Sequence, residues 1–250
     1  VIKVAKSAYP GSAAEIDALA ASLAAQREAE REERLVRAGF FDAWSGSGEL
    51  GVNYTTGNTK DFGLMAGIGL VRDGLTLRHK LTGLIDRRKT NGVLTSNRAL
   101  ASYELNYKFN DKLYAYGLGG WERNTFAGFG RRLTESVGVG YSVIESEEMF
   151  LDLTAGPAFQ QTRYVDGSRD NDTTARAGLD FGWKFMEGME FTERAVILIG
   201  SHWTSTTALT FALNDALSAR ASLDIIHENI PLTGRKATDT ATRFSLVYGF

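Results

Sequence analysis

The chain has 250 residues, a formal net charge of −2, no cysteine and only three histidines. A charge this close to zero, with no run of Lys and Arg interleaved with aromatics, argues against a nucleic-acid partner. The lack of cysteine removes disulfides, thiolate metal sites and cysteine nucleophiles from consideration. The longest strongly apolar stretch is 195–200, far short of the roughly 18–20 residues a spanning helix needs. With 27 Gly, 3 Pro, 14 Phe, 9 Tyr and 4 Trp, the balance favours strands and tight turns. The chain opens on Val1 without an apolar core and small-residue cleavage site, so its numbering is expected to be that of a processed chain.

The first forty residues differ from the rest. Ser12 and Glu15 make a capping box after Pro10 and Gly11, and Gly39 supplies a stop, so the spacing predicts one helix over 13–38. Ile16, Leu19, Ala20 and Leu23 form a short apolar stripe. The run QREAEREER at 26–34 is charged on every face, with Glu30 and Arg34 at the i,i+4 spacing of an exposed helix. A solvated helix is the leading expectation, and docking of the stripe against the barrel mouth or a periplasmic partner is the alternative. The division expected is a periplasmic helical segment at 1–40 and a β domain at 41–250.

From Trp44 onward the hydrophobic period is two. Leu50, Val52 and Tyr54 alternate with Glu49, Gly51 and Asn53. After Gly57 and Asn58, the residues Phe62, Leu64, Ala66, Ile68 and Leu70 oppose Asp61, Gly63, Gly67 and Gly69. Asp73 with Gly74 marks a tight hairpin, as does Asn91 with Gly92. Between them Leu75, Leu77, Leu81 and Ile85 oppose Arg78, Lys80, Asp86 and Arg88. Ala99, Ala101, Tyr103, Leu105, Tyr107 and Phe109 then oppose Arg98, Glu104 and Lys108. Further turns are read near 110–112, 127–130, 145–148, 166–172, 187–188, 205–206, 214–215 and 231–237. About twelve strands result, with longer polar loops alternating with tight turns.

Alternation alone does not say which face is inside. Segments such as 60–73 and 172–186 are long enough for a tilted bilayer crossing. The polar face gathers charges of both signs: Glu49, Asp61, Arg78, Lys80, Arg98, Glu104, Asp152, Arg176, Asp180, Lys184, Arg220, Asp224 and Arg243. Such a set suits a hydrated, salt-bridged lumen, while the other face is read as almost free of charge through the strand centres. Aromatics gather towards strand ends on that apolar face, at Trp44, Tyr54, Tyr107, Phe109, Trp121, Tyr141, Trp183, Phe185, Trp203, Tyr248 and Phe250, where two interfacial girdles are expected. The fold class expected is therefore all-β: a transmembrane antiparallel up-and-down β-barrel of about 12 strands in a bacterial outer membrane, with a short N-terminal helix. The last strand, with Phe244, Leu246, Tyr248 and the terminal Phe250, resembles the signal read by the outer-membrane assembly machinery.

The ordered motifs WSGSGELG at 44–51, TGNT at 56–59, the stretch 114–123 leading to Phe126, Ala127 and Gly128, GVGY at 138–141, LTAGP at 153–157 and VYGF at 247–250 resemble the family of salt-induced outer-membrane proteins, domain of unknown function 481. The resemblance covers roughly 43–250. It implies a Gram-negative outer-membrane barrel and carries no assigned chemistry or substrate.

A search for chemistry finds little. His79, His202 and His227 are widely separated, with no pair at metal-ligand spacing. An outer-membrane phospholipase would need a lipid-facing serine two residues after a histidine, and Leu81, Thr204 and Asn229 stand there instead. His202, followed by Trp203, reads as a girdle or loop residue. The acidic loop at 166–172 departs from the order of the twelve-residue calcium loop and reads as a solvated surface. No catalytic residue, metal or cofactor is expected. Outer-membrane lipids, the barrel assembly machinery and a periplasmic partner of 13–38 are the partners considered. A twelve-stranded barrel with balanced charges points to a narrow or closed lumen without strong ion selectivity. The functional expectation is a structural, envelope-stress or small-solute diffusion role, with a barrel that anchors a partner-binding N-terminal helix or loops as the alternative.

Overall fold

The computed structural model describes residues 8–37, 39, 41–55, 61–231 and 236–250, with the side chains of Pro10, Ala24, Glu28, Arg31, Glu32, Asn53, Tyr54, Thr55 and Asp61 outside that description. The chain divides into two units, 1–43 and 44–250. In the first, a 3-10 turn Pro10–Ser12 leads into helix α1 (Ala13–Arg37). Proline at that entry loses no intrahelical hydrogen bond, and Arg34 and Arg37 in the last turn meet the negative end of the helix dipole. Leu19 and Leu23 are exposed on it.

The second unit is a closed antiparallel barrel of twelve strands: β1 (Trp44–Thr55), β2 (Asp61–Asp73), β3 (Leu77–Thr90), β4 (Val93–Lys108), β5 (Leu113–Asn124), β6 (Phe129–Glu145), β7 (Met149–Tyr164), β8 (Arg169–Met186), β9 (Met189–Leu198), β10 (His202–Ala212), β11 (Leu217–Glu228) and β12 (Thr238–Gly249). Each strand pairs with its neighbours in sequence, and β12 closes on β1. Both ends of the sheet therefore lie on one side with the short turns, which is the periplasmic side of such barrels.

Which face is inside is settled by contacts between strands that are not neighbours. Arg132 on β6 holds Glu228 on β11, Arg78 on β3 reaches Asp152 on β7, and Arg243 on β12 holds Asp86 on β3. Such pairs can form only across the interior. Leu50, Val52, Leu64, Ile68, Ile85, Val137, Val139, Ile197, Phe244 and Leu246 stand exposed on the opposite face. A polar interior inside an apolar shell is the reverse of a soluble barrel, so the molecule is an outer-membrane β-barrel.

Three of the turns read from sequence are displaced: the one read at 127–130 lies at 125–128, with Phe129 and Gly130 already in β6. Ser205 and Thr206 lie inside β10, and the chain turns instead at Gly200, whose φ of 83° suits glycine. Of the stretch 166–172, residues from Arg169 onward already belong to β8. The turn at Gly57 and Asn58 lies outside the described residues, as does most of 231–237.

Beside its bulges, the barrel is uneven at its seam and between β6 and β7. The β1/β12 seam is short, joining 46–50 to 246–250, whereas β11 pairs with β12 from Leu217 to His227. Between β6 and β7 the ladder skips from Ser136/Ala158 to Val139/Ala155. A Cβ on Gly138 would lie 2.2 Å from the Ala155 carbonyl oxygen, and one on Gly156 would lie 2.0 Å from that of Val137. Pro157 beside them has no N–H to give to a ladder. Glycine is needed at both positions because backbone meets backbone there.

Candidate functional site

The lumen is the site, and alternation along each strand builds it. At its outward end Arg132, with a side chain 4% exposed, grips Glu228 in a two-pronged pair at 2.7 and 2.9 Å. Its guanidinium lies 3.9 Å over the Phe129 ring, and its Nε donates to Thr162 at 3.4 Å. Gln160 donates to Thr134, Ser201 donates to Gln160, and Arg98 pairs with Glu122 at 2.8 Å. His202 is buried here beside Ser201. It faces the lumen, which corrects its reading as a girdle or loop residue.

The span of the Arg132 pair is informative. A round barrel of twelve tilted strands has a backbone diameter of about 24 Å, which puts strands five apart about 23 Å from each other. Extended Arg and Glu side chains joined by a hydrogen bond bridge only about 15 Å. The barrel is therefore flattened where β6 approaches β11, and the lumen is narrowed there.

In the middle and inner lumen two rings are set over glycines. Tyr114 and Tyr116 are buried, and the space a Cβ would take on Gly140 and Gly138 is occupied by those two rings. The Tyr116 hydroxyl meets Ser136 Oγ at 3.0 Å, and Arg176 lies 5.6 Å over the Tyr116 ring while donating to Thr154. At the periplasmic end Asp73 receives Arg78 at 2.8 Å and Lys108 at 2.6 Å, and Lys80 meets Glu104 at 3.4 Å. On the other wall Arg243 is shared by Asp86 and Asp224, Thr206 donates to Asp224, and Glu49 receives Arg220 and Ser245. Asp180 pairs with Arg194 at 2.8 Å.

Eleven of the thirteen charges read from sequence thus fall on this face, from Glu49, Arg78, Lys80, Arg98, Glu104 and Asp152 to Arg176, Asp180, Arg220, Asp224 and Arg243. Lys184 lies beyond a register shift at the periplasmic end of β8 and is exposed. The Asp61 side chain is outside the described residues. Sequence reasoning missed Arg132, Glu122 and Glu228 as members of the site. A bulge between Phe129 and Arg131 breaks the parity that would have said which of Arg131 and Arg132 points inward.

On the lipid side Trp44, Tyr107, Tyr141, Trp183 and Tyr248 stand near the periplasmic ends of their strands, with Trp121 and Trp203 towards the outward end. Trp44 flanks His79, which meets the Tyr103 hydroxyl at 2.8 Å, and Trp203 stacks on His227 at 5.6 Å. Phe244, Leu246 and Tyr248 share the outward face of β12.

The outer face is less neutral than the alternation implied. Glu193 pairs in register with Phe181 and Thr207, and Glu135 with Gly119 and Phe159, so two carboxylates face lipid near strand centres. Ser205 donates to Glu193 at 2.6 Å and Thr207 at 2.5 Å. Two hydroxyls thus replace water for a carboxylate in the apolar band. Ser205 is engaged with this acid, and His227 with Thr238. Among the described residues no group of three or more His, Cys, Asp or Glu could hold a metal ion.

Residues 48–250 match the family described as "Protein of unknown function, DUF481". No curated protein matches the chain. Among solved structures, similarity extends to the NanC porin, with a TM-score of 0.49 and 10% identity over 82% of this chain and 98% of that one. The COG4313 outer membrane channel from Pseudomonas putida F1 gives 0.49 and 11% over 86% and 100%. The translocator domain of the autotransporter NalP from Neisseria meningitidis gives 0.41 and 14% over 92% and 98%.

Proposed function

The chain belongs to the DUF481 family, and on that premise we propose that it is a narrow diffusion channel for small polar solutes, without catalytic activity. The observation that carries this reading is the Arg132 pair with Glu228 across the lumen. It sets the bore at the outward end, while the buried tyrosines narrow it below. The lining interleaves both signs along its length, with Asp73, Glu104 and Asp152 beside Arg78, Lys80 and Lys108. A lining of this kind supports wetting without strong preference for cations or anions.

The test is single-channel conductance of the refolded full chain in a planar bilayer, compared with the variant Arg132→Ala/Glu228→Ala. Small steps in the native protein and larger ones in the variant are expected. Silence from both, with the barrels shown to be folded, overturns the channel. A second reading makes the barrel an anchor for α1, supported by the exposed Leu19 and Leu23 that precede its charged half. Deleting 8–37 would then abolish capture of a periplasmic partner while leaving insertion intact.

A further inference from the structure

Four arginines stand side by side on the lipid-facing surface at the outward end of the barrel. Arg131 on β6 is directly opposite Arg163 on β7, and Arg163 is directly opposite Arg169 on β8. Arg123 on β5 sits beside Arg131, in the bulge between the pairings of Glu122 and Asn124. All four are exposed. Their chain neighbours Glu122, Arg132 and Thr162 take part in the lumenal network, so alternation puts the arginines outside.

Their height matters as much as their facing. From Tyr141, in the periplasmic girdle, to Arg131 a tilted strand climbs about 25 Å, which is the height of the apolar band of such barrels. The row therefore lies where lipid headgroups begin. Trp121 and Phe159, both exposed, lie just below it on β5 and β7, as expected of an interfacial girdle.

Like charges directly opposite on neighbouring strands are destabilising, and here two such pairs follow one another. Among the described residues none of the four has a carboxylate within ion-pair distance. Glu135, the lipid-facing acid on the same strand, lies lower in the apolar band and pairs with none of them. The row is at ease only with anions from outside the chain. Guanidinium forks fit phosphate in two-pronged fashion, and opposite side chains rooted about 5 Å apart can share one phosphate.

We infer that Arg123, Arg131, Arg163 and Arg169 form a docking surface for the clustered phosphates of an outer-leaflet lipid. This does not depend on conduction through the lumen. The surface holds the barrel in its lipid, turning two repulsive pairs into bridged ones.

The test uses the refolded full chain and the variant Arg131→Gln/Arg163→Gln, titrated with diphosphorylated lipid A, with its dephosphorylated form and with inorganic phosphate. Native protein should bind the diphosphorylated lipid, and the variant should bind it about fivefold more weakly for each charge removed. The dephosphorylated lipid should lose the same contribution, and millimolar inorganic phosphate should not displace the lipid. Thermal stability supplies a second readout with a sign change. In neutral detergent the variant should melt above the native chain because repulsion is relieved, and with lipid A it should melt below. Equal lipid binding by the two chains, indifference to the phosphates, full displacement by inorganic phosphate, or no crossing of the melting order overturns the inference.

Discussion

Removing Glu228 should cost more than removing Arg132, although each deletion breaks the same pair. The Arg132 side chain is 4% exposed and that of Glu228 13%. In Glu228→Ala the guanidinium keeps its long bond to Thr162 and its place over Phe129 but loses both charged acceptors where protein covers almost all of it. Breaking a buried pair in this way costs about 3 kcal/mol. For a barrel of this size that lowers the melting temperature by about 6–12 °C. In Arg132→Ala the stranded acid is the last residue of β11 and turns towards the outward water, so the loss is about 1–2 kcal/mol. The double variant Arg132→Met/Glu228→Leu should be near neutral, since neither charge remains to be solvated. Thermal unfolding followed by circular dichroism in detergent checks all three. If Glu228→Ala is no worse than Arg132→Ala, or the double variant is as damaged as the worse single one, the pair is solvated and its role in narrowing the lumen is wrong.

Other consequences follow from the barrel's unevenness. Gly138→Ala and Gly156→Ala should each destabilise by about 1–3 kcal/mol, because the new Cβ meets a backbone carbonyl at 2.2 or 2.0 Å. Gly120→Ala, with 3.7 Å to spare, should be neutral, and denaturant unfolding distinguishes them. In hydrogen exchange, amides on the β1 side of β12 above Ser245 should exchange faster than those paired with β11, since the seam ends at Leu50 and Leu246; uniform protection along β12 would contradict this. In the loop between β7 and β8, Ser168 donates from its backbone and its hydroxyl to Asp166, which holds that carboxyl below its ordinary value. A lowered value means the turn's stabilisation is present above the ordinary carboxylate range and is lost as pH falls through the lowered one. Ser168→Ala should move the Asp166 titration upward by NMR.

Much of the fold was legible because a membrane strand writes its orientation into every second residue. Leu64, Ile68 and Leu70 against Gly63, Gly67 and Gly69 could be sorted without knowing any partner, and Asn91 with Gly92, both at positive φ, announced their hairpin by residue type. The turn assigned to Ser205 and Thr206 failed for an instructive reason. Their hydroxyls looked like loop chemistry, yet Ser205 serves a lipid-facing acid on the next strand and Thr206 a lumenal one. Both are polar because of their neighbours across the ladder, which local composition does not contain.

The site was legible as a face and not as a set of partners. Alternation puts Arg78, Arg176 and Arg243 in the lumen, but nothing in the sequence says that Arg243 reaches Asp86 past two intervening strands. Which residues meet depends on how far the barrel departs from a circle. Gly138, Gly156 and Pro157 mark where β6 and β7 crowd together and the ladder skips two pairs without changing register. The same β6 delivers Arg132 to Glu228. Gly138 and Gly156 thus let backbone meet backbone on the strand that carries Arg132 to its partner, a contact that no single-strand pattern announces.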